Sequence, residues 1–447
     1  MLEQGKRLSE SVLWQLQRNY FDQAGSLAWR NNVVPSHATS NAYIALAYAK
    51  ALMGYMRDAL TQGHRGTVHI VDLGAGSGQF AFHLLKKLDD LYGSSSVCNK
   101  VPYHYVIADF TQSNLDFCKN HPAMQSFIEA GKLDFALVDV TQTEPLTIEL
   151  QHSGEILASG SVPGPMALIG NYLFDSIPQD LFYLKNHQVY ECLPRLTLKD
   201  KSPRDMHGLP SMESIKIDYE QSPVDAGYYP EPHFNKLLDF YRDKVDMNHV
   251  TFPVIGLRFL DRLAAITQQS LLVLSADKGS AKIEQLYRHN QSYMAHHGGA
   301  FSLAVNYHLI SQYAQDQGGK SWLPAHNPQN ICVAGFLLGA GVTAFMETDY
   351  AVQEAVCGYN PDDFFVLKNS IELQIRHMQI PEILAYLRLS SYDSTVFMRV
   401  SDQIKARLST ASQANREDIK CLCQRVRENH YDLGHFNLEE TIGSLLY

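Results

Sequence analysis

A strand, a glycine-rich turn and a helix follow one another within residues 68–85, and this arrangement constrains the fold most. The β-branched residues at 68–71 predict a buried strand that ends at Asp72. Three glycines then alternate with other residues, at Gly74, Gly76 and Gly78. Such a turn presents bare backbone N–H groups and a helix N-terminus to a ligand at the carboxyl edge of a parallel sheet. The stretch therefore predicts an α/β fold with a nucleotide-like ligand at this turn.

The spacing of the glycines narrows the class of ligand. A dinucleotide-binding turn follows the pattern Gly-x-Gly-x-x-Gly, whereas here Gln79 stands where its third glycine is expected. An NAD-dependent oxidoreductase is therefore disfavoured. No Lys-Ser/Thr pair follows the turn, which excludes a P-loop. A tight connection that binds no ligand is the structural alternative.

The pattern Asp-x-Gly-x-Gly-x-Gly resembles motif I of class I S-adenosylmethionine (SAM) methyltransferases. The resemblance implies a Rossmann-like α/β fold with a mostly parallel seven-stranded sheet, extended here by helical N- and C-terminal additions. It also implies that SAM is the cofactor and that Asp72 and the three glycines of the turn contact it.

Two further predicted strands end in acidic residues that suit an adenosine cofactor. The strand at 103–109 ends at Asp109, and a carboxylate in this position accepts hydrogen bonds from ribose hydroxyls. The strand at 133–141 contains Asp139 and Val140, which suit the exocyclic amine and the ring of adenine. A turn or a helix cap is the structural alternative for Asp139.

Polar residues also follow the fourth predicted strand, at 166–170. Asn171 and Asp175 come directly after it, where side chains face the ligand crevice of an open α/β sheet. We expect Asn171 to hold the methionine end of the cofactor or the substrate. We expect Asp175 to orient or deprotonate a nucleophilic nitrogen.

The two segments at 72–78 and 170–182 together resemble the MidA family of class I methyltransferases. This family includes the mitochondrial protein-arginine methyltransferase of complex I assembly. Its pattern after the fourth strand is Asn-Glu-x-x-Asp-x-x-Pro followed by a hairpin, and Asn171, Asp175 and Pro178 match it. Tyr172 replaces the family's Glu. The resemblance implies methylation of a protein side-chain nitrogen, arginine in particular, and the missing carboxylate marks a divergent member.

Changes in composition along the chain predict three parts. Residues 1–65 are expected to form an N-terminal helical segment, and 66–346 the SAM-binding core, with an irregular insertion near 195–250. Residues 347–447 are expected to form a C-terminal helical region. Residues 29–37 are either a lid over the cofactor or a connector. The apolar pattern at 441–447 predicts docking on the core or on a partner, or a fragment of a longer chain.

Composition limits the partners and the compartment. The net charge of −10 argues against a nucleic-acid partner, and no signal peptide or membrane-spanning run is visible. The seven scattered cysteines predict reduced thiols in the cytoplasm. The histidines at 296, 297 and 308 lack the spacing of a metal motif, so no metal is expected. The composition gives no indication of the oligomeric state.

These observations predict a SAM-dependent methyltransferase with a protein substrate, and with Asn171 and Asp175 facing the transferred methyl group. The alternative is a catalytically silent protein of the same fold that binds a partner through its helical C-terminal region. The replacement at Tyr172 permits this alternative.

Overall fold

The computed structural model describes residues 2–25, 27–30, 37–97, 100–199, 210–286, 294–297, 299–339 and 344–446. The strands are β1 Val68–Leu73, β2 Tyr103–Asp109, β3 Leu133–Leu137, β4 Ile148–Glu149, β5 Ile156–Leu157, β6 Met166–Asn171, β7 Asp180–Lys185, β8 Gln188–Leu198, β9 Ile215–Pro223, β10 Asn248–Phe252, β11 Ser270–Asp277, β12 Gly279–Ser280, β13 Met294–His297, β14 Ala300–Leu303, β15 Val305–Asn306, β16 Lys320–Trp322 and β17 Cys332–Gly339.

Helices and strands are interspersed up to β17, and only helices follow it among the described residues. The helices are α1 Val12–Ala24, α2 Leu27–Arg30, α3 Ala42–Thr61, α4 Gln79–Gly93, α5 Gln112–Asn120, α6 Gln125–Glu129, α7 Pro232–Lys244, α8 Val254–Ala264, α9 Ile283–Leu286, α10 Tyr307–Asp316, α11 Met346–Val352, α12 Pro361–Gln374, α13 Ile380–Leu389, α14 Ser394–Lys405, α15 Gln413–Glu428 and α16 Leu438–Leu446. In the described part of the chain, no helix combines the length and the apolar character needed to cross a lipid bilayer.

The central sheet has seven strands in the order β16-β17-β11-β6-β1-β2-β3. Strands β3, β2, β1, β6 and β11 run parallel, and β17 is antiparallel to both of its neighbours. This is the strand order of class I methyltransferases, and it confirms the predicted fold class. The order reverses between β1 and β6, and ligands of open α/β sheets bind at such a reversal.

Both faces of the central sheet are covered, so β1 and β11 are buried along their whole length. On β1, Val68 and Ile70 pack with α3 and α4, whereas Val71 and Leu73 pack with α8 and α10 on the other face. This explains why β1 has apolar residues on both of its faces and does not alternate between apolar and polar positions.

A second, four-stranded antiparallel sheet has the order β10-β7-β8-β9. The hairpin predicted within residues 180–193 is its centre. The insertion predicted to be irregular near 195–250 is largely regular, since β9, α7 and β10 lie within it. The prolines at 223, 230 and 232 lie at the ends of β9 and α7 or between these two elements, where proline is tolerated. They therefore do not make the insertion irregular.

Helix α3 begins after Asn41, whose side chain accepts from the N–H groups of Tyr43 and Ile44. Residues 300–308 are divided between β14, β15 and the start of α10. The strand that completes the central sheet is the short β16. Residues 31–36 of the predicted lid lie outside the described residues.

The C-terminal helices form their own apolar cluster, which also contacts the core at several points. Helix α12 begins at a capping box made by Asn360 and Asp363. Asp58 of α3 caps α11, because its carboxylate accepts from the N–H groups of Glu347 at 3.1 Å and Thr348 at 2.7 Å. A buried hydrogen bond therefore joins the N-terminal helical segment to the start of the C-terminal one.

We expect Asp58→Ala to lower the free energy of unfolding by about 1–3 kcal/mol, because it leaves buried N–H groups without an acceptor. Urea unfolding followed by circular dichroism measures this change. Asp418→Ala removes an exposed acid from the surface of α15 and should change stability by less than about 0.5 kcal/mol. Equal midpoints for the two variants would contradict the role assigned to Asp58.

Candidate functional site

A cleft of about 630 Å³ opens at the carboxyl edge of the central sheet, beside the reversal in strand order. Volumes of this size are typical of sites for small ligands and cofactors. Predicted site residues that line it are Asp72, Gly74, Asp109, Asp139, Val140 and Asn171. Gly76, Gly78 and Asp175 do not line this cleft, although the first two belong to the same turn.

The glycine turn has a backbone conformation that side chains disfavour. Gly74, Gly76 and Gly78 have φ angles of 73°, 54° and 75°, all in the left-handed region. The N–H of Gly74 donates to the carbonyl of Ala108 at 2.8 Å, which extends the contact between β1 and β2 into the turn. The chain can therefore reverse direction at the sheet edge and still bring its backbone to the cleft.

Gly78 has a packing role behind the cleft. A Cβ on this residue would lie 2.7 Å from Sγ of Cys118 and 3.2 Å from the hydroxyl of Tyr431. The Tyr431 hydroxyl donates to the carbonyl of Ser77 at 2.8 Å, and the Tyr431 ring stacks on His121 with a centroid distance of 3.7 Å. The C-terminal region thus supports the glycine turn from the side opposite the cleft.

Asp109 is buried and holds the turn together. Its carboxylate accepts from the N–H of Gly76 at 3.2 Å, from the N–H and hydroxyl of Thr111, each at 2.9 Å, and from the Asn114 amide. Burial raises the pKa of Asp109, and these donors act in the opposite direction. Asp109 also lines the cleft. Its carboxylate is therefore positioned at the sheet edge by the protein itself.

Asp72 brings a second buried carboxylate to the cleft. It accepts a hydrogen bond from the hydroxyl of Tyr105 at 2.8 Å. Burial raises the pKa of Asp72 to about 7, against the effect of that hydrogen bond, and the charge of Asp109 adds to the increase. A cation in the cleft would favour the ionised form of both acids.

A cation from α1 contacts one of the two predicted adenine residues. Arg18 pairs with Asp139 at 2.7 Å, and its guanidinium lies 4.9 Å from the centre of the Phe110 ring. Burial alone would raise the pKa of Asp139, but the hydrogen bonds from Arg18 and Thr141 lower it. Asp139 also accepts from the N–H and hydroxyl of Thr141, so it is a turn acid as well as a lining residue. Val140 and Phe110 add apolar surface to this end of the cleft.

Asn171 is the last residue of β6 and lines the same cleft as the glycine turn. Its amide is held at both ends, because Oδ1 accepts from the hydroxyl of Tyr48 at 2.9 Å and Nδ2 donates to the carbonyl of Thr39 at 3.1 Å. The side chain of Asn171 is therefore fixed in orientation by α3 and by the residues just before it.

Asp175 lies in a small adjoining pocket of about 30 Å³, whose lining includes Lys278 and His297. Asp175 and Asp277, at the end of β11, share a hydrogen bond between their carboxyl groups. Burial raises the pKa of Asp175 to about 6, although hydrogen bonds from Ser176 and Asp277 lower it. Burial and the charge of Asp175 raise the pKa of Asp277 further. The two carboxyl groups therefore titrate as a pair, in which Asp277 holds a proton more firmly than Asp175 does.

Helix α1 covers the cleft and connects it to the smaller pocket. Phe21, Tyr172 and Ser176 line both cavities. Gln17 fixes the position of α1, because it donates to the carbonyl of Ser176 and accepts from the N–H of Phe301, both at 2.9 Å. Neither the position of α1 over the cleft nor the contribution of Arg18, Phe110 and Asp277 to the two cavities was predicted from the sequence. The apolar face of α1 was visible in the sequence, but nothing local indicated what it packs against.

No family model matches the sequence, and no curated protein matches it either. Among solved structures, a protein from Burkholderia thailandensis is 14% identical, with a TM-score of 0.40 over 79% of this chain and 89% of its own. A second protein of the same superfamily and organism, bound to S-adenosyl-homocysteine, is 13% identical, with a TM-score of 0.43 over 79% and 90%. Magnesium protoporphyrin IX methyltransferase from Synechocystis, also with bound S-adenosyl-homocysteine, is 8% identical, with a TM-score of 0.31 over 73% and 100%.

These likenesses are distant, and they carry no argument about the activity of this chain. The fold is established by the strand order of the central sheet, and the function has to be argued from the residues of the two cavities.

Gly78→Ala should be more destabilising than Gly131→Ala, although both glycines have left-handed φ angles, of 75° and 65°. The Gly131 variant has open space around the new methyl group and should lose only the conformational cost of about 1–2 kcal/mol. Gly78→Ala also crowds Cys118 and Tyr431, which adds about 1–3 kcal/mol. Paired urea denaturation curves test this, and equal losses would show that Gly78 is not tightly packed.

Proposed function

We propose that this protein is a SAM-dependent methyltransferase that acts on a side-chain nitrogen of a protein substrate. The observation that carries the proposal is the juxtaposition of two cavities on either side of Tyr172 and Ser176. One of them fits an adenosyl cofactor, and the other contains a carboxylate suited to accept a proton.

The cleft has the chemical groups that SAM requires. Its sulfonium and amino groups are cationic, and the buried carboxylates of Asp72 and Asp109 line the cleft that would receive it. Asp109 is the residue we assign to the ribose hydroxyls, and Phe110 and Val140 supply apolar surface for adenine. Asp139 would have to exchange Arg18 for the adenine amine, or share its two oxygens between them.

When bound, SAM supplies an electrophilic methyl group, which passes from sulfur to the acceptor nitrogen and leaves S-adenosyl-homocysteine. The acceptor nitrogen then has to lose a proton. Asp175 is the group we assign to this proton, because it is ionised at neutral pH and Asp277 holds its carboxylate in place. Asn171 lines the cleft and Tyr172 lines both cavities, and the two would position the methyl group and the acceptor.

The identity of the acceptor rests on the MidA resemblance, which implies arginine. Tyr172 carries no charge in place of the family's Glu, because burial and the nearby carboxyls of Asp175 and Asp277 raise its pKa. Lys278 adds a cation to the same pocket. An acceptor nitrogen of low charge therefore fits as well as a guanidinium, and the assay should compare arginine, lysine and amide peptides.

Cofactor binding is tested by titration calorimetry with SAM, S-adenosyl-homocysteine and NADH. We expect micromolar binding of the two adenosyl ligands, no binding of NADH, and an affinity about 10- to 100-fold lower for Asp109→Asn. Asp116→Asn changes an exposed acid on the adjoining helix α5 and should bind like the unchanged protein. Binding of NADH without SAM would overturn the cofactor assignment.

Turnover is tested with labelled SAM and the peptide panel. The rate should rise with pH and level off above about 6, because Asp175 must be ionised to accept the proton. Asp175→Asn should lower kcat about 10²- to 10⁴-fold and leave SAM affinity unchanged. Asp277→Asn should retain most of the rate, because an amide N–H can replace the carboxyl O–H as donor to Asp175. Asp239→Asn, at an exposed site on α7, serves as the control. Full activity of Asp175→Asn would contradict its assigned role.

A second candidate is a protein that keeps this fold but catalyses no transfer. The ion pair of Arg18 with Asp139, across the adenine end of the cleft, and Tyr172 in place of a carboxylate favour it. SAM binding without methylation of any peptide or lysate protein would support this scaffold function over the enzyme.

A further inference from the structure

Two histidines lie side by side at the edge of the central sheet opposite the cleft. His69 of β1 and His104 of β2 occupy paired positions in neighbouring parallel strands, so their side chains point to the same face. Their ring centroids are 5.8 Å apart. Five residues separate His69 from Gly74, which corresponds to about 16 Å along a strand. The pair is therefore too far from the cleft to take part in the chemistry proposed there.

A carboxylate from a third segment converges on these two rings. Glu155, directly before β5, places its carboxylate 3.3 Å from Nε2 of His69 and 3.9 Å from Nδ1 of His104. One potential ligand atom from each of the three residues lies within 4.8 Å of the others. The contact with His104 is longer than a hydrogen bond. Mutual hydrogen bonding therefore does not account for all three groups facing one point.

The surroundings hold this arrangement in place. Asp134 of β3 is fully buried and accepts from the N–H groups of His152 at 2.7 Å and Ser153 at 2.8 Å, which fixes the turn that carries Glu155. The Asp134 carboxylate also lies 3.8 Å from Nε2 of His104, whereas Nδ1 of that ring faces Glu155. At 3.8 Å this contact is longer than a hydrogen bond, so Asp134 lies behind the His104 ring without being bonded to it.

We infer that His69, His104 and Glu155 form a binding site for a divalent transition metal, with Zn²⁺ the best match. Two imidazole nitrogens and one carboxylate oxygen are a ligand set typical of zinc, whereas magnesium and calcium prefer oxygen ligands alone. Tetrahedral bonds of about 2.0–2.1 Å place ligand atoms about 3.3–3.4 Å apart. The three ligand atoms lie within 4.8 Å of one another, so metal binding would draw the side chains closer together. The Glu155 side chain is 46% exposed, which leaves an entry path from solvent and an open fourth position.

The metal would have a structural role. It would tie β1, β2 and the β4–β5 hairpin together at the edge where the central strands begin. The absence of a metal motif in the sequence is explained by the origin of the three ligands in separate segments. The sequence analysis considered only the histidines at 296, 297 and 308 and so predicted no metal.

The test uses the full chain without an affinity tag, treated with a chelator and then titrated with Zn²⁺ by calorimetry. We expect one equivalent to bind, and Co²⁺ to give the visible absorption of a tetrahedral site. Glu155→Gln and His104→Ala should each bind Zn²⁺ at least tenfold more weakly. His435→Ala, which removes an exposed histidine outside the three ligands, should bind Zn²⁺ as the unchanged chain does.

A thermal denaturation experiment gives the second measurement. Zn²⁺ above its dissociation constant should raise the melting temperature of the native chain but not that of Glu155→Gln. Glu155 is exposed, so the Gln variant is expected to fold, and circular dichroism verifies this. Failure of the native chain to bind one equivalent, or equal affinity of native and Glu155→Gln, would overturn the site. SAM binding by the chelator-treated chain is expected to be unchanged in either case.

Discussion

The turn after β1 is the constraint on which the rest of the site depends. The chain has to leave a fully buried strand and enter a helix while its backbone remains exposed to a ligand. Left-handed glycines make this possible, and the hydrogen bond from Gly74 to the carbonyl of Ala108 links the turn to β2. Asp109 continues that link through the N–H of Gly76. The carboxylate assigned to the ribose and the glycine turn are therefore a single unit.

The site concentrates acidic groups where water is largely excluded. Burial raises the pKa values of Asp72, Asp109 and Asp175, which means that the protein alone solvates their charges poorly. A cationic ligand lowers this cost, whereas an anionic one would increase it. This electrostatic preference separates a sulfonium cofactor from a dinucleotide more directly than the spacing of the glycines does, because it depends on buried side chains rather than on a pattern.

Local patterns predicted most of the parallel sheet but little of what surrounds it. The strands that carry Asp72, Asp109 and Asn171 were visible because each is a short apolar run that ends in a polar residue. Arg18 and Asp277 could not be assigned in the same way, since their importance comes from contacts with residues far away in the chain. The paired acids Asp175 and Asp277 are brought together only by the alignment of β6 with β11. Short, mixed segments such as β16 have too few residues for any periodicity.

Tyr431 gives the glycine turn an unusual dependence on the order of synthesis. Its hydroxyl donates to the carbonyl of Ser77, which lies 354 positions earlier in the chain. Ribosomes add about 5–20 residues per second, so roughly 20–70 seconds separate the emergence of the turn from that of the residue that supports it. During this interval Cys118 and Met124 can already pack against Gly78, but one side of the turn lacks its support. A nascent chain is thus expected to become competent to bind the cofactor only late in translation.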